Sequence, residues 1–333
     1  MESNTAIDFV LPWVDGSDPD WIEQFLLHKP GAGSDARKSR FRDWGTLKYQ
    51  FRAFELLTPW VRKIHFITWG HYPDWLNLKH EKLNLVTHED YLHKQNLPVF
   101  NANPIEINIH RINDLSDRFV YLNDDFFFVK KIPASRFFLK GLPRDILAFN
   151  AISNTMIAHL KLNDLEVINN NFDKKTLVKE QFFKIFNVKY SLLELLKTHL
   201  LLPWPKITGF YDPHLPQPYL KETFEEVWAC ASDILKETSR SKFRSCSDVN
   251  QYLFRYWQLC KGKFVPLRMP KNYVGWIRSV DDAHIFAKQI TSGKNQMICL
   301  CDAVEDDDIF FEAQKIVISA FEKQFPDKSS FEL

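Results

Sequence analysis

The residues best placed by type and spacing to do chemistry are Asp124 and Asp125. They sit in the run Asn123-Asp124-Asp125, between Phe119-Val120-Tyr121-Leu122 and Phe126-Phe127-Phe128. Two adjacent carboxylates flanked by apolar residues are costly to bury alone. They call for a metal, a cation or solvent at a strand's end. Just upstream, Asn101, Asn103, Glu106, Asn108, His110 and Arg111 crowd into one short stretch. With helical spacing Glu106 and His110 share a face, as do Asn103 and Arg111. Polar residues this dense beside an acid pair suggest a site. An N-capped surface helix, a strand and an acidic turn would explain the same residues without one.

The surrounding pattern supplies elements to position such a site. Residues 7–14, IDFVLPWV, read as a strand running into the turn Asp15-Gly16-Ser17-Asp18-Pro19. Pro12 inside that run suggests an edge strand or a bulge. Residues 29–39 are rich in Gly, Ser and charge and read as a loop, and Arg40-Phe41-Arg42-Asp43 opens a helix. Leu47, Phe51, Phe54 and Leu57 line one face of it, with Lys48, Arg52 and Glu55 on another, until Thr58-Pro59 stops it. Residues 62–69 and 84–88 read as further strands. Strands alternating with helices up to Phe128 imply a mainly parallel α/β sheet. No GxGxxG or Walker loop is present to hold a dinucleotide or an ATP phosphate.

Beyond Lys131 the pattern weakens: residues 168–173 read as an Asn-rich loop, and 180–202, where Leu and Phe recur every three to four residues, reads as one or two helices. A proline-rich stretch, PWPKITGFYDPHLPQPYLKETFEEVW, then carries His214 along an extended path toward a helix starting near Leu220. His214 and Arg244 could each be solvent-exposed or structural. Lys and Arg number 43 against 42 Asp and Glu, so no global field recruits nucleic acid or anionic lipid. The 29 phenylalanines fit either an aromatic core, the favoured reading, or a sugar-stacking cleft. Cys230, Cys246, Cys260, Cys299 and Cys301 lack zinc-site or disulfide-framework spacing, which points to a reducing compartment. Cys299 and Cys301 share a strand face and read as packing. Asp306-Asp307-Asp308 reads as a helix N-cap or a cation site. The start has no signal-peptide pattern, and no apolar run reaches spanning length. The expected location is cytoplasmic, at most peripheral to the membrane, with residues 192–204 as the candidate contact.

The quoted segments resemble the signature regions of the Stealth family. IDFVLPWVDGSDP is similar to its first region, with Leu11-Pro12 where Tyr-Thr is usual. RFRDWGTLKYQFRAFELLTPWVRKIHFITWGHYPDWL is similar to its second, with Trp44 and Trp69 replacing Asn. FNANPIEINIHRINDLSDRFVYLNDDFFF resembles its third region. MICLCDAVEDDDIFF through FPDKSSFE resembles the fourth, with Cys301 where Asn is usual and Asp302 matching. The compact spacing of the first two regions favours the bacterial polysaccharide branch.

The resemblance implies a mainly parallel, Rossmann-like (GT-A-like) sheet with helices on both faces and a more helical C-terminal half. A nucleotide-sugar-binding core would occupy 1–150. A largely helical acceptor or lid region with His214 and Arg244 would occupy 151–290, and a C-terminal strand and helix, 291–333, would pack back on the core. The implied reaction moves a hexose 1-phosphate from a UDP-sugar to a glycan hydroxyl and releases UMP, in bacterial capsule or cell-surface polysaccharide synthesis. The glycan would be lipid-linked or a growing polysaccharide. A GT-A-type glycosyltransferase releasing UDP is the alternative. Asp124 and Asp125 would hold Mg²⁺ or Mn²⁺, with Asp125 or His214 as base. Arg244, Arg40 and Arg42 would clamp phosphate. Asp15, Gly16, Asp43, Lys48, Asn103, His110, Arg111, Asn123 and Asp302 would contact or orient the donor.

Overall fold

The structure is a computed structural model that describes residues 6–29, 41–153 and 157–333. Arg40 and nearly all of the Gly- and Ser-rich stretch before it lie outside the described residues. The strands are β1 (Asp8–Pro12), β2 (Ile64–Thr68), β3 (Leu83–Thr87), β4 (Arg118–Tyr121) and β5 (Phe126–Phe128). Then come β6 (Phe138–Leu139), β7 (Leu142–Asp145), β8 (Gln217–Leu220), β9 (Val265–Pro266), β10 (Asn272–Ile277) and β11 (Met297–Asp302).

The main sheet has the order β3-β2-β1-β4-β8. The first three pairings are parallel and only β8 runs antiparallel, at the edge. This is the mainly parallel α/β sheet the alternating pattern predicts. Pro12 does not mark an edge, however, because β1 is the central strand and Pro12 is its last residue. A proline there ends the ladder without leaving an interior donor missing. The prolines flanking Gln217 are tolerated in β8 for the complementary reason: an edge strand needs hydrogen bonds on one side only.

Side chains alternate across β1, and each face supports its own apolar core. Phe9 and Leu11 pack with Phe51, Phe54 and Leu57 of the helix Leu47–Leu57. Val10 packs with Phe119 and with Phe224 and Leu253, from the helices Lys221–Cys230 and Tyr252–Cys260 on the opposite face. Most of the phenylalanines of both clusters are fully buried, so the aromatic excess is core. At the start of β1, buried Asp8 accepts from Arg62 (2.8 and 2.6 Å), from the Ser116 amide (2.8 Å) and pairs with His65 (2.9 Å). That network ties three strands together opposite the end carrying the acid pair.

A second sheet, β10-β11-β5, brings the C-terminal segment against the acid turn. Leu300 N donates to the Asp125 carbonyl at 2.9 Å, so β11 fixes the backbone of the turn. β10 pairs in parallel with β11 along its whole length, and the helix Val280–Thr291 connects the two strands. Asp306 caps the last helix by accepting from Asp308 N (2.9 Å) and Ile309 N (3.0 Å), which accounts for the acidic run. The second half is mostly helical, as expected, and its 180–202 segment holds the helices Phe182–Ile185 and Leu192–Leu201.

Candidate active site

The turn after β4 opens into a cavity of about 960 Å³. Asn123, Asp124, Asp125, His214, Arg244 and Asp302 all line it, together with Arg42, Asp43 and Asn103. A smaller cavity of about 300 Å³ holds Asp15 and Lys48 and shares Trp13, Asp43 and Leu47 with the larger one. The sheet's carboxyl edge thus gathers groups drawn from the whole chain, as open α/β sheets do. Gly16 lies beside them in a supporting role. Its N–H donates to the Phe41 carbonyl at 3.0 Å, and a Cβ at that position would collide with the same carbonyl.

Several of these polar residues are held by partners. Arg42 sets its fork on Asp302, donating from Nε at 3.0 Å and from Nη2 at 2.8 Å to either oxygen, and also to the Val304 carbonyl at 2.8 Å. Arg42 therefore orients Asp302 at the cavity wall. Asn103 and Asn101 both donate to Asp248 Oδ2, at 2.9 and 2.8 Å, and Ser245 N donates to the same oxygen at 3.0 Å. This fully buried carboxylate fastens the loop of Arg244 to the helix Ala102–Ile107. Glu106 faces the cavity, accepting from Tyr121 Oη at 2.9 Å and Gln251 N at 3.3 Å.

His110 and Arg111 are not brought to the site. The helix ends at Asn108 and tightens into a 3₁₀ turn over Ile109–Arg111, which breaks the i, i+4 register with Glu106. His110 stacks near Phe224 and Trp228, and Arg111 lies over the Trp228 ring at 4.3 Å. Trp44 lines the cavity edge and packs on Phe310 at 4.9 Å.

His214 sits at φ +44°, a left-handed conformation uncommon for a residue with a Cβ. Its loop is over-determined by Asp212, which accepts from Arg255 Nη1 (2.8 Å), Tyr256 Oη (2.8 Å) and Lys161 Nζ (2.5 Å). Arg255, fully buried, also grips Asp145 with two bonds of 2.8 Å. Asp212, Asp248 and Arg255 were not singled out by sequence reasoning. Lone charged residues carry no spacing signal, and only burial with a partner reveals them.

Burial raises the carboxyl pKa of Asp124, and the charges of Asp125 and Asp43 raise it further. Burial raises Asp125 as well, against the opposing pull of His214. For His214 burial works downward, but a hydrogen bond with Cys301 and the Asp125 charge leave its pKa raised. The Cys301 thiol is pushed down to about 5, chiefly by the Cys299 hydrogen bond, then by His214 after the opposing cost of burial. Cys299 Sγ lies 3.5 Å from Asp125 Oδ2 and 3.6 Å from Cys301 Sγ. Both cysteines pack in the buried core, and Cys301 also lines the cavity.

Asp125, His214, Cys299 and Cys301 offer ligand atoms within 4.8 Å of one another, a group able to hold a metal ion. Asp124 is outside that group, whose two sulfurs are softer than the oxygen shell Mg²⁺ favours. The acid pair still suits a cation. Asp125 Oδ1 is buried with no hydrogen-bond partner among the described residues, and two like charges side by side on a cavity wall gain from a countercharge.

The chain matches conserved region 1 of the Stealth proteins over residues 5–24 and conserved region 2 over residues 40–145. The acidic stretch at 100–128 therefore belongs to region 2, not to a separate third region. The chain is 41% identical to a capsular polysaccharide phosphotransferase of Streptococcus pneumoniae, covering 100% of this chain and 99% of that one. It is 39% identical to a receptor polysaccharide phosphotransferase of Streptococcus gordonii, with 98% and 99% covered. An exopolysaccharide phosphotransferase of Lactiplantibacillus plantarum is 36% identical, with 98% and 96% covered. With region 1 on the β1 turn, region 2 reaching through the acid pair and full-length likeness to named phosphotransferases, the chain belongs to the Stealth family and is a transferase.

Proposed function

We propose that this chain transfers a hexose 1-phosphate from a UDP-sugar to a hydroxyl of an acceptor glycan and releases UMP, in the synthesis of a bacterial capsule or cell-surface polysaccharide. The observation that carries the reading is the convergence of Asp124, Asp125, His214 and Arg244 on one cavity of about 960 Å³, large enough for a nucleotide sugar beside an acceptor. The relatives' names supply the reaction class.

The acceptor hydroxyl attacks the phosphorus that bears the hexose. A new O–P bond forms, the bond to the bridging oxygen of the other phosphate breaks, and UMP leaves with that electron pair. The hexose C1–O bond is untouched. Little covalent work is asked of the protein, so positioning and charge carry the rate. Arg244 donates a planar fork to the diphosphate. Asp302, oriented by Arg42, and Asn103, fixed by Asp248, fix the donor through its hydroxyls. His214 or Asp125 takes the acceptor proton, each within the same wall of the cavity. A divalent ion, Mg²⁺ or Mn²⁺, on Asp124 and Asp125 would offset the diphosphate charge. Asp15 and Lys48 in the adjoining small cavity serve the nucleotide end.

The test is a panel of UDP-hexoses with a glycan acceptor, resolving UMP from UDP and weighing the product. UMP with one hexose and one phosphate gained by the acceptor is expected. Stoichiometric UDP, with hexose gained and no phosphorus, would establish a glycosyltransferase and overturn the proposal.

A further inference from the structure

One surface far from the acid turn in sequence has no role in that chemistry. Between the helices Phe182–Ile185 and Leu192–Leu201, Phe183 is 83% exposed, Val188 86% and Leu192 85%. Leu196 and Leu200 follow Leu192 at i+4 and i+8, at 56% and 60%, so one stripe of the second helix faces outward uncovered. Trp204, half exposed, ends the stretch. Scattered exposed leucines are ordinary, but a contiguous run of large apolar side chains this exposed marks an interaction surface.

The helix is docked, not loose. Its buried Thr198 accepts from Phe149 N at 2.9 Å, and Lys174 Nζ donates to the carbonyls of Leu201 (2.6 Å) and Trp204 (2.7 Å). Just before it, buried Tyr190 Oη accepts from Leu147 N at 3.1 Å. The polar anchors on one side fix the apolar stripe on the other as a permanent feature of the surface.

Charge selects the occupant. Residues 173–206 carry six lysines besides the buried anchor Lys174, against Asp173, Glu180 and Glu194, although the whole chain carries a net charge of only +1. A second copy of the chain would set this cationic segment against itself, whereas an anionic bilayer complements it. None of the helices among the described residues is long and apolar enough to cross a membrane, so contact would be in the interfacial plane.

We propose that the 182–204 surface, flanked by the lysines of 174–206, docks this enzyme onto an anionic lipid bilayer. Leu192, Leu196 and Leu200 enter the headgroup boundary while Lys175 and Lys179 lie over lipid phosphates. The proposal goes beyond the transfer reaction and stands whichever product leaves.

The test is sedimentation of the full chain with vesicles of about 30% phosphatidylglycerol in phosphatidylcholine, compared with phosphatidylcholine alone. The parent is expected to co-sediment with the anionic vesicles and to be released as salt rises. L192S/L196S/L200S is expected to lower the bound fraction at least about tenfold while turnover on a soluble acceptor is kept. K175E/K179E, which leaves the apolar stripe intact, should erase the preference for anionic over neutral vesicles. A parent that ignores anionic vesicles, or triple-serine protein that binds them as the parent does, overturns the proposal. So does a parent that forms a dimer dissolved by the triple substitution and stays off vesicles.

Discussion

Arg255→Met separates a structural role for buried charge from a catalytic one. In the folded chain Arg255 is fully buried between Asp145, two bonds of 2.8 Å, and Asp212, one bond of 2.8 Å. Removing one partner of a buried pair costs about 3–5 kcal/mol, because an uncompensated charge stays behind. Here the loss is unevenly shared. Asp212 keeps Lys161 and Tyr256, while Asp145 keeps the Gln217 amide (2.9 Å), the Ile146 N–H (2.7 Å) and the more distant charge of Arg136. The cost falls mainly on Asp145, toward the lower end of the range, about 3 kcal/mol. Against a total of roughly 5–15 kcal/mol, the variant folds at 25 °C but with its urea midpoint clearly lowered. Asp212 stands two residues before His214, so turnover should fall as well. Adding Asp145→Leu should recover at least about 1 kcal/mol by removing the stranded carboxylate. Urea unfolding followed by circular dichroism measures both variants. An Arg255→Met cost below about 1 kcal/mol would mean that Asp145 is not buried as a charge, and the reasoning about this network would fail.

Three further expectations concern acid stability and the site. Burial, then the charge of His71, pushes the His88 pKa down to about 4 from the ordinary 6.5, so the folded chain holds this ring neutral. The unfolded chain binds the proton first, so stability is intact above pH 6.5 and falls by about 3 kcal/mol as the pH drops toward 4. His88→Gln should flatten that slope, and a pH series of thermal midpoints showing the same slope in parent and variant would remove His88 as its cause. At the site, Asp124→Asn and Asp125→Asn should each lower kcat at least about a hundredfold, roughly 2.7 kcal/mol of transition-state stabilisation. Arg244→Lys should not restore what Arg244→Ala loses, since an ammonium cannot reproduce a planar fork. Turnover in either arginine variant equal to the parent's would dismiss Arg244 from the diphosphate.

How much of this was legible in the sequence depends on the range of the interaction. Leu47, Phe51, Phe54 and Leu57 announced their helix because an apolar stripe is a local regularity, and all four are buried. The strands leading to Asp15 and Asp124 were legible for the same reason. The misreadings sit where local rules meet an outside constraint. Glu106 and His110 obey helical spacing on paper, yet the helix tightens after Asn108 and sends the histidine to Trp228. Pro12 looked like an edge marker because composition cannot say which end of a strand a neighbour needs.

Cys299 and Cys301 do pack in the core, and Cys301 also lines the cavity. Their strand face is apparent from alternation, but what faces them is His214, some 90 residues away by chain and brought there by a loop in a strained conformation. The groups that assemble the site are the least visible of all. Asp248 joins Asn101 and Asn103 to the loop of Arg244, and Arg255 joins Asp145 to the loop of His214. The partners that matter most to each lie more than a hundred residues away in the chain. Each is expensive to bury, and the cost is offset only when distant segments close around it. The same property that hides them from a sequence pattern makes them specific. A carboxylate that must find two asparagines and a loop amide is satisfied in one arrangement of the chain, and that arrangement places Arg244 at the acid pair's cavity.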